Sequence, residues 1–467
     1  MIKSNLFLGG ALLLAASVNG KNIVKPNIVL INIDDLGWTD LSCNGSTYYE
    51  TPNVDHLKSL GIWFGNAYAG GANSSPSRAC MLTGQNAPRH GVYTVNPPDR
   101  GDAKKRKLIS FPNRKVLPDG IQILPKALKD AGYTTYHIGK WHVTDSPEKC
   151  GFDVNIAGNH AGMPHTYFSP YRNPNLKDGE KGEFLTDRLG DEAVNIIKTA
   201  DNDNPFFLYY ATYAVHVPLQ APEYLVKKYE KKKKTKAHSN PVYAALVESM
   251  DRNVGKVLDA IEKSGKSDNT LIIFTSDNGG FYNVSKQWPL RAGKGSFYEG
   301  GIRIPLIIYM KGKFEHREIS DVNVSQLDFF PTLMELAGVH DNELLLDGKS
   351  LLPLLENNDK SQFAERPLFW HFPAYLEGGN KETRDKYFRS RPVSVIRKGD
   401  WKLIENYEDN SIELYNIKTD IGEKHDLSES NSVKVQELKT ALDEWKKNIG
   451  APCNFKLNPD FQEENVK

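Results

Sequence analysis

Cysteine is scarce: Cys43, Cys80, Cys150 and Cys453 are spread over 467 residues with no CxxC pair among them. That spacing argues against a thioredoxin-type motif and a cysteine-based zinc site, and leaves one or two disulfides or buried free thiols as the alternatives. Net charge is almost absent too. Lysine and arginine number 59 against 58 aspartates and glutamates, a formal balance of +1, so no whole-molecule field draws the chain to nucleic acid and any attraction for anions is local. There is no internal repeat and no long low-complexity tract, which argues against a repeat architecture. Beyond the first twenty residues no apolar run is long enough to span a bilayer.

What is present is an ordinary globular composition, 39% hydrophobic and 25% charged, at a length that suits one large domain and a smaller one. The N-terminus differs in kind. Lys3 precedes "LFLGGALLLAASV" and small residues follow up to Gly20, the order of charge, apolar core and cleavage site of a secretory signal. Residues 1–20 are therefore expected to be a leader, with export and no membrane anchor; the alternative is a buried first strand.

The body of the chain alternates apolar runs with amphipathic stretches. "NIVLINI" at 27–33 and "TLIIFTS" at 270–276 have the continuous β-branched character of central parallel strands. Helical patterns such as "YAALVESMDRNVGKVLDAIEKSG" stand between the runs. From about residue 365 short strands with turn residues take over, ending in the helical "VKVQELKTALDEWKKNIG". The expectation is an α/β fold: a large, mostly parallel central sheet flanked by helices over 21–360, then a smaller antiparallel sheet plus helix over 361–467. The basic runs "KKRK" and "KKYEKKKKTK" read as solvated faces, with a polyanion contact as the alternative.

Chemistry gathers where strands end, because ligands of open α/β sheets collect beyond the carboxyl ends of the strands. "NIVLINI" runs into Asp34 and Asp35; "TLIIFTS" runs into Asp277 and Asn278. Adjacent carboxylates at one sheet edge repel unless a cation lies between them, and an all-oxygen set suits Ca2+ or Mg2+. Three carboxylates against one divalent ion leave one excess negative charge. Arg78, Lys140 and Lys294 reverse it, and His142 and His216 are available for proton transfer. Such a set suits an oxyanion ester bound beside a metal. In "NSSPSRACMLTG", Pro76 fits the first turn of a helix capped by Asn73 or Ser74, whose positive end would face an anion. Capping and catalysis by Ser74 are compatible readings.

These residues resemble the type I sulfatases of the alkaline phosphatase superfamily. "SSPSRACMLTG" is similar to their first signature and "GYTTYHIGKWH" to their second. "NIVLINIDDLGWTD", "SDNGG" and "LRAGKGSFYEGGIRIPLI" follow further family blocks in order. The resemblance implies that Ser74 is oxidised after synthesis to formylglycine. One hydroxyl of its hydrate attacks sulfur, and loss of the proton from the other ejects sulfate. It further implies Asp34, Asp35, Asp277 and Asn278 as ligands of a calcium ion. Arg78 and Lys140 would hold the formylglycine and sulfate oxygens, His142 would serve as base, and His216 with Lys294 would contact the departing ester oxygen. Serine rather than cysteine at 74 resembles the bacterial branch matured by a radical S-adenosylmethionine enzyme, which implies a periplasmic or secreted bacterial protein.

Aromatic and histidine-rich loops make His160, His165, Tyr171, Arg172 and His371 the candidate sugar contacts. Their blocks look like those of bacterial polysaccharide sulfatases, including ones acting on galactose or N-acetylgalactosamine 4-sulfates. The competing readings are a phosphodiesterase or phosphonate hydrolase on the same scaffold, and an exported glycan-binding protein that never matures.

Overall fold

The computed structural model describes residues 25–339 and 343–463; the expected leader lies outside them. Eight strands build the large sheet: β1 (Asn27–Ile33), β2 (Ile62–Phe64), β3 (Thr134–Gly139), β4 (Val154–Ile156), β5 (Phe206–Ala211), β6 (Thr270–Ser276), β7 (Leu306–Tyr309) and β8 (Arg317–Ile319). They lie in the order β4, β3, β5, β1, β6, β7, β2, β8. Only β7 runs against the rest.

Every residue of β1 and β6 is buried, as continuous apolar runs require when both faces are covered. The alternation of side chains sorts β1 between two cores. Ile28 and Leu30 pack with α2 (Ser74–Thr83), α3 (Leu124–Asp130) and α6 (Phe329–Leu336). Val29, Ile31 and Ile33 pack with α1 (Pro52–Leu60), α4 (Leu185–Thr199) and α5 (Pro241–Lys263). Long α5 starts on Pro241, with the Asn240 side chain accepting from two backbone amides, a start that needs no further partner. Its Asp251 reaches across to accept from the amides of Asn53 and Val54 at 3.2 and 2.8 Å, satisfying free donors at the beginning of α1.

The second sheet is antiparallel throughout: β9 (Leu368–Phe372), β10 (Val393–Lys398), β11 (Trp401–Asn406) and β12 (Ile412–Asn416). One face holds Leu438 and Leu442 of α7 (Ser432–Ile449) against Ile396, Leu403 and Leu414. The other sets Trp370, Val395 and Ile404 against Tyr68, Phe297 and Ile302 of the large unit. Within that junction Lys402 is buried between Glu299 at 3.1 Å and Glu423 at 2.8 Å. The four cysteines are free thiols. No helix among the described residues is long and apolar enough to cross a membrane.

Candidate active site

Register alone brings the remote acids together. Ile33 of β1 pairs with Ser276 of β6, so the residues that follow, Asp34–Asp35 and Asp277–Asn278, leave the sheet side by side. The Asp277 amide donates to the Ile33 carbonyl at 3.1 Å, and the Asp35 amide donates to Asp277 Oδ1 at 3.1 Å. Asn278 Nδ2 donates to Asp35 Oδ1 at 2.9 Å. Asp35 itself sits at φ 60°, the left-handed region that is strained for a residue with a Cβ and recurs at functional sites.

The neighbouring strands deliver the cations. At the end of β3, Gly139 has φ +95°, and a Cβ there would lie 2.1 Å from the Ala211 carbonyl oxygen, so only glycine permits the turn. That turn sends the Lys140 amide to the Ala211 carbonyl at 2.7 Å and its ammonium into the site. Lys140 Nζ stands 2.8 Å from both carboxylate oxygens of Asp34. Arg78, on the first turns of α2, donates from Nε to Asp277 Oδ2 at 2.9 Å and from one terminal nitrogen to the Lys140 carbonyl at 2.8 Å. Its other terminal nitrogen, 3.8 Å from Asp34 Oδ1, has no hydrogen-bond partner although it is buried. Lys294 pairs with Asp35 at 2.6 Å, and His216 Nε2 lies 3.5 Å from the same carboxylate.

Ser74 occupies the centre. Helix α2 begins with it, Asn73 holds the cap position without a capping side-chain bond, and Asn73 Nδ2 instead donates to Thr94. Ser74 is therefore not the cap. Its hydroxyl lies 3.0 Å from Lys140 Nζ, 3.3 Å from Asp34 Oδ1 and 3.4 Å from Asn278 Oδ1.

Electrostatics follow from burial and sign. Burial pushes Asp34 up to about 7, offset in part by Lys140 and reinforced by Asp277 and Asp35. Against the same upward push of burial, Arg78 and Lys140 hold Asp277 below the ordinary carboxylate range, and Lys294 with His216 hold Asp35 below it. His142, at φ 59°, is driven well below its usual value by burial and then by Lys140 and Arg78; its Nδ1 is buried without a partner. Gly162 leaves room for that ring, since a Cβ there would come within 2.7 Å of it. His216 is lowered to about 3 by burial and then Lys294. Both imidazoles are neutral near pH 7. His216 Nδ1 bonds to the Val217 carbonyl at 2.8 Å, which fixes the proton there and leaves Nε2 as the free acceptor.

Of these groups, Asp35, Ser74, Lys140, His142, His216 and Lys294 line a cleft of about 410 Å³ together with Asn73, Val95, Arg100, Gly162, Met163, Phe281, Leu376 and Arg389. Of the expected sugar contacts, His160 stacks edge-on against His142 with centroids 5.6 Å apart. His165 and Arg172 are exposed and do not line the cleft. Two expectations are corrected. Tyr171 is buried, donating from its hydroxyl to Glu183 at 2.7 Å; His371 is buried between Ser394 Oγ at 2.8 Å and the Pro452 carbonyl at 3.1 Å. Both are satisfied inside the protein and present nothing to a ligand. Arg100, Arg389, Phe281 and Met163 were missed, because nothing local in their segments sets them apart. A larger groove of about 830 Å³ lies elsewhere, bordered by Lys398 and Glu437, but these two pair with each other at 3.1 Å. Part of the second basic run is paired within the protein, with Lys228 bridging Glu50 and Glu248.

Comparison with known proteins agrees with this arrangement. Residues 26–339 match the family model described as Sulfatase, and residues 293–448 match the model described as N-sulphoglucosamine sulphohydrolase, C-terminal. A "Sulfatase" of Formosa agariphila is 35% identical over 90% of this chain and 87% of its own. The N-acetylgalactosamine-6-sulfatase of Homo sapiens is 32% identical over 74% of this chain and 68% of its own. The crystal structure of Ps i-CgsB in complex with k-i-k-neocarrahexaose superposes with a TM-score of 0.72 at 32% identity, covering 94% of each chain. Buried acids at two adjoining strand ends, a helix-borne serine among them and this breadth of similarity lead to one conclusion: the chain belongs to the type I sulfatase family and is a sulfuric ester hydrolase.

Proposed function

We propose that this enzyme removes sulfate from a sulfated carbohydrate, with residue 74 converted from serine to formylglycine and one divalent ion, calcium or magnesium, held by Asp34, Asp35, Asp277 and Asn278. The observation that carries the reading is Ser74 Oγ, buried within 3.0 Å of Lys140 Nζ and 3.4 Å of Asn278 Oδ1. The donor set fits a hard cation: it is all oxygen, with three buried carboxylates and a buried amide leaving the sheet side by side. When bound, the ion would draw charge from a sulfate oxygen. Formylglycine would supply, as its hydrate, two hydroxyls on one carbon, so that release of sulfate breaks a bond at carbon and water need not attack sulfur.

The remaining chemistry belongs to the chain's own side chains. The unpartnered nitrogen of Arg78 and the ammonium of Lys140 are donors prepared for oxyanion oxygens and need little reorganisation. Neutral His142 has an unpartnered ring nitrogen and accepts the proton whose loss expels sulfate. Lys294 donates to the departing ester oxygen. His216 presents a bare Nε2 and delivers a proton there only after gaining one, which the negative charge of an arriving sulfate ester favours. Phe281, Leu376 and Met163 supply apolar walls for a sugar ring.

The oligosaccharide held by Ps i-CgsB supports a carbohydrate substrate, and the human relative's name supports N-acetylgalactosamine as its sugar, though that name gives the 6-sulfate where the loop sequences suggest galactose or N-acetylgalactosamine 4-sulfates. The same reading includes export through the N-terminal leader, a catalytic unit at 21–360 with a C-terminal unit at 361–467, and maturation by a radical S-adenosylmethionine enzyme. Mass spectrometry of tryptic peptide 59–78 from the native host tests the central step. Oxidation of the serine removes two hydrogens, about 2 Da, and a peptide of unmodified mass in an active preparation overturns it.

A further inference from the structure

The cleft carries two arginines that the reaction does not use. Arg389 lies in a short strand, Phe388–Ser390, paired with Leu376–Glu377. Its Nε donates to the Glu377 carbonyl at 2.9 Å. Its stem lies over Gly295, the residue after Lys294, where a Cβ would sit 3.2 Å from Arg389 Cδ. The guanidinium is 5.8 Å from the Phe281 ring centre. Its two terminal nitrogens make no hydrogen bond among the described residues, which leaves one full edge of donors free. Arg100 approaches from another loop and pairs with Glu377 Oε1 at 2.8 Å.

Arg100 thus takes the Glu377 carboxylate, while Arg389 meets only that residue's backbone carbonyl, leaving a surplus positive charge at the wall of a cleft whose floor is Ser74, Lys140 and Lys294. Burial and then the charge of Arg100 depress the basicity of Arg389, as expected where like charges are held together without sufficient anion. The sulfate being cleaved is already met by Arg78, Lys140, Lys294 and the histidines. The surplus lies across the apolar side chains of Phe281 and Leu376, where a sugar ring would present its other substituents. A guanidinium edge is matched by a sulfate or a carboxylate, which accept two parallel hydrogen bonds.

We propose that Arg100 and Arg389 form a second anion subsite, which takes a further sulfate or a uronic carboxylate on the same carbohydrate and makes the enzyme selective for doubly anionic substrates. The inference rests on the sulfatase reading of the cleft and deepens it.

Calorimetric titration of the inert Ser74→Ala protein tests it without turnover. The probes are N-acetylgalactosamine 4-sulfate, the 6-sulfate, the 4,6-disulfate and a uronate-linked disaccharide of the 4-sulfate. A doubly anionic probe is expected to bind about tenfold or more tightly than its monosulfated parent, the scale of one charge-assisted hydrogen-bond pair. The disulfate gaining identifies a sulfate subsite; the uronate disaccharide gaining identifies a carboxylate subsite. Arg389→Gln, added to that background, should bring the ratio to within about twofold, with Arg389→Lys retaining part of it. Should Arg389→Gln lower the melting temperature, Arg100→Gln, at a more open position, reads the same ratio. A ratio near one in the parent, a ratio unchanged by the substitutions, or no binding by either doubly anionic probe overturns the subsite. The galactose-type substrate reading fails separately, if matured enzyme releases sulfate from none of the probes.

Discussion

Lys140 and Asp34 form a buried ion pair in which one ammonium meets both carboxylate oxygens at 2.8 Å while also touching Ser74 Oγ at 3.0 Å. Lys140→Ala removes the nearest countercharge of a buried acid, and stripping one partner from such a pair costs about 3–5 kcal/mol. Urea denaturation in chelator should show a loss of this order. With calcium the loss should shrink, and kcat should still fall by about 100-fold or more, as when a preorganised oxyanion donor is deleted.

Metal binding should be visible as stability. Adding calcium to chelated protein is expected to raise the melting temperature in a concentration-dependent way, through a stabilisation of about 2.7 kcal/mol at a hundredfold excess over Kd. Asp277→Ala should abolish the rise, and differential scanning fluorimetry reads both. A calcium response that survives in Asp277→Ala places the ion elsewhere.

Selectivity for sulfate over phosphate follows from the cations. Lys140 and Lys294 stand against Asp34 and Asp35, so that ammonium groups occupy the space where a second metal would need further anionic ligands. Matured enzyme should therefore hydrolyse 4-nitrophenyl sulfate with a kcat/KM at least about tenfold above that for 4-nitrophenyl phosphate. The reverse order would make this a phosphate-ester hydrolase on a sulfatase framework.

Acid should destabilise the protein through its buried neutral histidines. Burial lowers His371 to about 3, and His90 and His137 to about 4. The unfolded chain binds protons at these sites where the folded one does not, so stability is intact above the ordinary histidine value and is lost as pH falls towards these depressed values. His371 alone should contribute a loss of about 2 kcal/mol between pH 7.5 and 5. His371→Asn should flatten the pH dependence of the urea midpoint by that amount, and an unchanged slope would show that His371 is solvated.

The large sheet and the heart of the site were legible because each is local in sequence. An apolar run says where a strand is, the acids that follow say where it stops, and parallel pairing of β1 with β6 does the rest. The direction of Ser74 Oγ was not legible, since Asn73 and Ser74 are equally good caps; the structure separates them by giving Asn73 to Thr94. The cleft wall was the least legible part. Arg100, Phe281 and Arg389 come from three unrelated segments, and only packing of the second sheet on the first brings them together. Tyr171 and His371 show the converse error: residue type suggests sugar contact, but Glu183 and Ser394 had already claimed their polar atoms.

The junction between the sheets bears on how such enzymes diversify. Ser74, Lys140 and Lys294 hang from the large unit, whereas Leu376 and Arg389 reach the same cleft from the smaller one. Bond-breaking is thus written on the larger stretch alone, while the wall that meets the rest of a substrate is shared, with Arg100, Met163 and Phe281 coming from the larger stretch. Drift or recombination within residues 365–463 can retune what is admitted while the reactive floor stays under its own selection.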